Sequence, residues 1–262
     1  GMFPNHIPNP ENKEAMASIC QATLDNKGDL GIIFDTDVDR AAIVGSDGRP
    51  INKNALIALI STIILEEHPG TTIVTDSVTS NGLAKFIKAR GGIHHRFKRG
   101  YKNVINEAIR LNEEGKESHL AIETSGHAAI KENYFLDYGA YLISKILVKA
   151  AQLYRESQDI GKLIRDLDEA LEDKEVRLKI EDKDFRAYAN NIINSLSEKV
   201  KTIDGWTQVS ENYEGIRVDC RDEKGWFLMR SSLHEPLLVI NFESDIQGGC
   251  DMIYESLSAL IK

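Results

Sequence analysis

The stretch Gly31-Ile-Ile-Phe-Asp35-Thr-Asp37-Val-Asp39-Arg40 decides how this chain is read. With Leu30 ahead of it, its first half is an apolar run of strand length, and Ala41–Val44 reads as its hairpin partner. Its second half carries carboxylates at alternate positions, which a continued strand would put on one face. Like charges that close repel one another unless a cation joins them. A hard, oxygen-preferring ion such as Mg²⁺ suits a set made only of carboxylates. The bland alternative is a solvated acidic turn. Spacing excludes two other cation loops. An EF-hand needs Gly at its sixth position and Glu at its twelfth, and Arg40 and Ser46 stand there. The D-x-D-G-T signature of haloacid-dehalogenase phosphatases is broken by Val38. Arg40 sets a fixed cation beside the acids, which suits a site that handles phosphate.

Outward from this loop the chain alternates strand and helix patterns. A helix is expected over residues 54–66, closed by His68-Pro-Gly70, then a strand at 71–75, a helix at 82–90 and a strand at 93–97. A helix at 102–114, a strand at 119–122 and a long helix at 138–154 follow. Such alternation predicts an α/β domain with a mostly parallel sheet, in which ligands sit at the C-terminal ends of the strands. After about residue 155 the pattern changes. Residues 160–173 and 185–199 read as charged helices, and short strands at 207–209, 215–219, 225–230 and 237–243 precede a last helix at 248–261. That is an α+β unit with an antiparallel sheet.

Composition sets outer limits. The chain has 262 residues, 42% hydrophobic and 28% charged, which is ordinary for a globular protein of one or two domains. No apolar run approaches the roughly 20 residues that cross a bilayer, and residues 2–8 have no secretory-signal pattern, so no membrane association is expected. Cys20, Cys220 and Cys250 are scattered and form no CxxC pair, which fits a reducing cytoplasm rather than a disulfide framework or a zinc site. A net charge of −9 argues against a nucleic-acid partner despite the basic stripe His94-His-Arg-Phe-Lys-Arg99. Gly1 ahead of Met2 reads as a remnant of tag removal. Phe3-Pro-Asn-His-Ile-Pro-Asn-Pro10 holds three of the six prolines and reads as an extended connector within a longer protein.

Three further segments carry candidate chemistry. Glu123-Thr-Ser125-Gly-His127 follows a strand; Glu123 and Ser125 suit a fork onto sugar hydroxyls and His127 adds a donor, the alternative being a helix-capping loop. Arg230-Ser-Ser232-Leu-His234-Glu-Pro236 joins two strands and suits a phosphate cradle, the alternative being an ordinary hairpin. Lys98-Arg-Gly-Tyr-Lys102 opens a helix and suits an anion, the alternative being a solvated basic turn.

In this order the segments resemble the α-D-phosphohexomutase superfamily of phosphoglucomutases and phosphomannomutases. Residues 35–40 are similar to its D-G-D-G-D-R loop, residues 123–127 to its G-E-M-S-G-H loop and residues 230–236 to its R-x-S-N-T-x-P loop. Thr36 and Val38 replace the glycines of the first loop, which implies a backbone less able to adopt unusual angles. Leu233 and His234 replace Asn and Thr of the third. The resemblance implies that Asp35, Asp37 and Asp39 bind Mg²⁺, with Arg40 and Lys102 in supporting catalytic roles. It implies that Glu123, Ser125 and His127 hold the sugar, and that Arg230, Ser232 and His234 hold its phosphate. It also implies three segments: residues 1–50 as the end of domain two, 51–155 as a three-layer α/β sugar-binding domain, and 156–262 as an α+β phosphate-binding domain. The activity implied is phosphoryl transfer between the 1- and 6-positions of a glucose or mannose phosphate, through a phosphoserine and a bisphosphate intermediate. The phosphoserine would lie in N-terminal domains of the same polypeptide, so these residues alone would be inactive. A non-catalytic sugar-phosphate binder and a phosphatase with Asp35 as nucleophile are the alternatives.

Overall fold

The computed structural model describes residues 2–232 and 235–261, and the chain divides into two compact units, Gly1–Asp168 and Glu169–Lys262. In the first unit α1 (Lys13–Asp25) precedes a small antiparallel sheet of β1 (Leu30–Phe34), β2 (Ala41–Gly45) and β3 (Pro50–Ile51). A four-stranded sheet follows, formed by β4 (Thr72–Asp76), β5 (Ile93–Phe97), β6 (Ser118–Ile122) and β7 (Ala128–Ile130) in the order β5-β4-β6-β7. Strand β4 runs parallel to β5 and β6, and the short β7 returns antiparallel beside β6. Helices α2 (Lys53–Glu67), α3 (Asn81–Ala89), α4 (Tyr101–Glu113) and α5 (Gly139–Arg155) complete the unit.

Strand alternation sorts the core into layers. Ile73, Leu120 and Ile122 face α2, α3 and α5, whereas Val74, Ala121 and Ala129 face Val104, Ala108 and Leu111 of α4. The small sheet divides likewise: Ala41 and Ile43 join the α2 core, and Ala42, Val44 and Ile33 meet Met16 and Ile19 of α1. Every residue of α2 from Ala55 to Leu65 is buried, as expected of a helix apolar on all sides.

The second unit is a five-stranded antiparallel sheet in the order β8-β12-β11-β10-β9, with β8 (Glu172–Lys179), β9 (Trp206–Gln208), β10 (Ile216–Cys220), β11 (Gly225–Ser231) and β12 (Leu237–Ser244). Helices α6 (Phe185–Val200) and α7 (Gly249–Ile261) share one core with it, built on Phe227, Met229, Ile240 and Leu257. The α/β unit with a largely parallel sheet, followed by the antiparallel α+β unit, is the architecture expected from the sequence. No helix among the described residues is long and apolar enough to cross a membrane.

Three local expectations are corrected. Residues 160–173 are not a helix: a 3₁₀ turn, Ile160–Ile164, is followed by strand β8 from Glu172. Only Val176 and Leu178 are apolar in β8, so charge masks the alternation of an edge strand. Helix α1 was not foreseen because Cys20 and Thr23 dilute its apolar stripe; its N-terminus is fixed by Asn12, whose side chain accepts from Ala15 N at 3.0 Å. Finally, the acids of residues 35–39 do not continue β1. The strand ends at Phe34 and the chain turns back on itself.

Candidate functional site

The acidic loop converges by folding, not by strand alternation. One oxygen from each of Asp35, Asp37 and Asp39 lies within 4.8 Å of the others. The turn is closed by Arg40, whose backbone N donates to Asp35 Oδ1 at 3.1 Å and whose Nε donates to Asp35 Oδ2 at 2.6 Å. Val38 sits at φ 64°, a left-handed conformation that the replacement of glycine does not prevent. Its carbonyl accepts from Gly139 N at 2.9 Å, the first residue of α5. A Cβ at Gly139 would come 3.0 Å from Val38 O, so glycine lets the loop rest on that helix end without pushing the Val38 carbonyl away.

The sugar-loop candidate packs directly against the acidic one. Ala41 N donates to Gly126 O at 3.3 Å, and Arg40 and His127 form an antiparallel bridge. Gly126 has φ 97°, and a Cβ there would lie 2.6 Å from Ala41 O. Within the loop, Glu123 N donates to His127 O at 2.9 Å and Gly126 N to Glu123 O at 3.0 Å. The Glu123 carboxylate accepts from Gly100 N at 2.6 Å and from Ser125 Oγ at 3.2 Å. It is thereby fixed before any ligand arrives. Below it Asp76, fully buried at the end of β4, accepts from Thr124 Oγ1 at 2.7 Å and stands 4.0 Å from Arg99. His127 is held by Asp137 Oδ2, 2.8 Å from Nδ1, and stacks on Tyr101 with ring centroids 4.8 Å apart.

Electrostatics follow from this crowding. Burial, then the hydrogen bond and charge of Asp35, push the Asp39 carboxyl up to about 6, against the pull of His127. Burial also raises Asp35, but hydrogen bonds from Asp39 and Arg40 outweigh it and hold that carboxyl below its ordinary value. Burial raises Glu123, with the charge of Asp76 adding to it. For His127 burial is overcome by Asp137, Asp39 and Glu123, which raise it. Asp39 Oδ1 is buried without a hydrogen-bond partner. An all-oxygen set with one orphaned oxygen and a surplus of negative charge fits a divalent hard cation.

The remaining candidates fall elsewhere. Lys102 is exposed in the first turn of α4, its Nζ 5.8 Å from the Tyr101 ring centre, whereas its neighbours Gly100 and Tyr101 contact Glu123 and His127. In the second unit Arg230, next to last in β11, is nearly buried. Ser232 N donates to Leu237 O at 2.9 Å, and Ser232 Oγ accepts from Glu235 N at 3.3 Å. His234, with Leu233, lies outside the described residues. On the same sheet, buried Arg217 lies over Trp226 with its guanidinium carbon 3.5 Å from the ring centre. Asp76, Tyr101 and Asp137 were missed because each reaches the site through tertiary contact; the position of Asp76 at the C-terminal end of β4 was the one signal available.

Comparison with known proteins bears on the family and the fold. Residues 52–169 match the family model for phosphoglucomutase/phosphomannomutase alpha/beta/alpha domain III, and residues 1–48 match that for domain II. A phosphoglucomutase of Neisseria gonorrhoeae is 28% identical over 263 residues, covering 100% of this chain and 54% of the relative. A phosphomannomutase/phosphoglucomutase of Pseudomonas aeruginosa is 29% identical over 255 residues, covering 97% and 51%. The crystal structure of a phosphoglucomutase/phosphomannomutase family protein from Burkholderia thailandensis superposes with a TM-score of 0.82 at 27% identity, covering 99% of this chain and 52% of that one. The chain therefore spans about half the length of the relatives it matches. The fold, an α/β unit followed by an α+β unit, is that of the phosphohexomutase class. The chain belongs to the phosphoglucomutase/phosphomannomutase family.

Proposed function

We propose that these residues supply the metal loop, the sugar loop and the phosphate loop of a hexose phosphate mutase, which moves a phosphoryl group between the 1- and 6-positions of a glucose or mannose phosphate. The observation that carries the reading is the direct seating of residues 35–41 on residues 126–127, which makes the acidic loop and the sugar-loop candidate one wall. On this reading residues 1–50 end domain II, the rest of the first unit is the sugar-binding domain III, and the second unit, from Glu169, is a phosphate-binding domain IV.

Asp35, Asp37 and Asp39 would hold Mg²⁺, which when bound neutralises charge at the phosphoryl group in transfer. Arg40 orients Asp35 through both carboxylate oxygens, as a partner behind a metal ligand does. The same pairing counts against Asp35 as a phosphatase nucleophile. Glu123, already fixed by Gly100 and Ser125, accepts a sugar hydroxyl without first losing freedom. Ser125 and His127 complete the sugar contacts, and Lys102 adds distant positive charge. Arg230, Ser232 and His234 hold the phosphate that does not react, which keeps a bisphosphate bound while it turns over. The serine that carries the phosphoryl group belongs, on this reading, to sequence beyond these 262 residues.

Two measurements test the reading. Glucose 1-phosphate titrated into the chain should bind, and Arg230→Ala should weaken that binding at least tenfold; equal affinity would remove the phosphate-loop assignment. The 262 residues alone should not interconvert glucose 1- and 6-phosphate, and turnover at about 1 s⁻¹ or faster would contradict the placement of the phosphoserine.

A further inference from the structure

Asp39 faces a second set of donors whose chemistry differs from that of the acidic loop. His127 Nδ1 lies 3.6 Å from Asp39 Oδ2 and 2.8 Å from Asp137 Oδ2. One ligand atom from each of the three residues falls within 4.8 Å of the others. Asp39 Oδ1 and Asp137 Oδ1 are both buried with no hydrogen-bond partner, and Arg40 Nε stands 3.9 Å from the former. Burial of such oxygens is costly unless something compensates them. An ion bound tetrahedrally at about 2.1 Å keeps its ligand atoms about 3.4 Å apart. The 3.6 Å between His127 and Asp39 is close to that value, and the 2.8 Å between His127 and Asp137 is a hydrogen bond that an ion would replace by widening it slightly.

The backbone holds all three residues in place. Asp39 belongs to the turn that rests on Gly139, His127 bridges Arg40 and stacks on Tyr101, and Asp137 bridges Ala129. We infer that Asp39, His127 and Asp137 form a second cation site, selective for an imidazole-preferring ion such as Zn²⁺ or Co²⁺, that shares Asp39 with the magnesium set. The imidazole decides the selectivity: nitrogen ligands favour late first-row metals, whereas Mg²⁺ takes oxygen and water. Because one carboxylate serves both sets, the two kinds of ion exclude each other, and a late transition metal acts as a competitor of Mg²⁺. The inference rests on the proposed function only for the role of Asp39 toward Mg²⁺.

The test is metal titration of the whole 262-residue chain: Co²⁺ by its visible absorption, Zn²⁺ by competition with a chromophoric chelator, and Mg²⁺ by calorimetry. Asp137→Asn and His127→Gln should each weaken Co²⁺ and Zn²⁺ at least tenfold while Mg²⁺ changes less than twofold. Asp37→Asn should do the reverse. Far-UV circular dichroism establishes that each variant is folded, and if one is not, the other carries the test. Co²⁺ affinity within twofold of the parent in the folded variants would overturn the site, as would loss of Co²⁺ binding in Asp37→Asn alone. Absence of Mg²⁺ binding in the parent, with the Co²⁺ pattern intact, would remove the magnesium assignment and leave this site standing.

Discussion

Val38 and Gly126 carry the backbone strain and the close approach on which the candidate site rests. A β-branched residue at φ 64° costs about 1–3 kcal/mol, and the loop retains it because Val38 O is held by Gly139. Val38→Gly should therefore stabilise the protein by up to about 1 kcal/mol, since glycine's extra freedom in the unfolded chain offsets part of the relief. Gly126→Ala should do the opposite, losing about 2 kcal/mol or more, because its Cβ would meet Ala41 O at 2.6 Å in a left-handed backbone. Urea denaturation of the two variants checks both signs. The side chains of this wall were legible in part. Asp35, Asp37, Asp39 and Glu123 announce themselves by residue type and order. Asp137 comes ten positions after His127, past the β7 strand and a 3₁₀ turn, and nothing local marks its return to that ring.

At the scale of elements, the buried helix α2 and its contact with the start of β6 bear on the stability of the first unit. Leu59 is fully buried in a helix with no solvent face, so Leu59→Ala should cost about 2–5 kcal/mol. Both tryptophans, Trp206 in the core and Trp226 under Arg217, lie in the second unit, so their fluorescence reports on that unit and far-UV circular dichroism on all helices. The Leu59→Ala loss should accordingly appear in the dichroism transition. Where α2 ends, His68 stacks on His119 of β6 with ring centres 3.6 Å apart. Burial first, then the charges of His68 and Lys131, lower His119 below its ordinary value of 6.5, against Glu117 and Glu132. The folded state thus binds fewer protons than the unfolded chain just below pH 6.5. The stability is present above that pH and is lost as pH falls through the folded value. Denaturation midpoints at pH 7.5 and 5.5 should differ less in His119→Phe than in the parent. Most elements were legible because helix and strand periods differ cleanly; β8 was not, because as a charged edge strand it shows two apolar residues in eight.

For the whole molecule, the α/β unit and the α+β unit each have their own core, and relatives of one family match the chain across both. Composition alone would have left a globular protein of no stated activity. The ordered motifs gave the reading its direction, and the packing of residue 41 on residue 126 gave it a surface. The central claim is that Glu123 and its neighbours grip a sugar phosphate beside the acidic loop. Titration calorimetry of the 262-residue chain with glucose 1-phosphate in the presence of Mg²⁺ tests it most directly, with Glu123→Gln as the comparison because it keeps shape while removing charge. The account predicts binding by the parent and at least a tenfold loss in Glu123→Gln, about 1.4 kcal/mol. Equal affinity in the two proteins would contradict it.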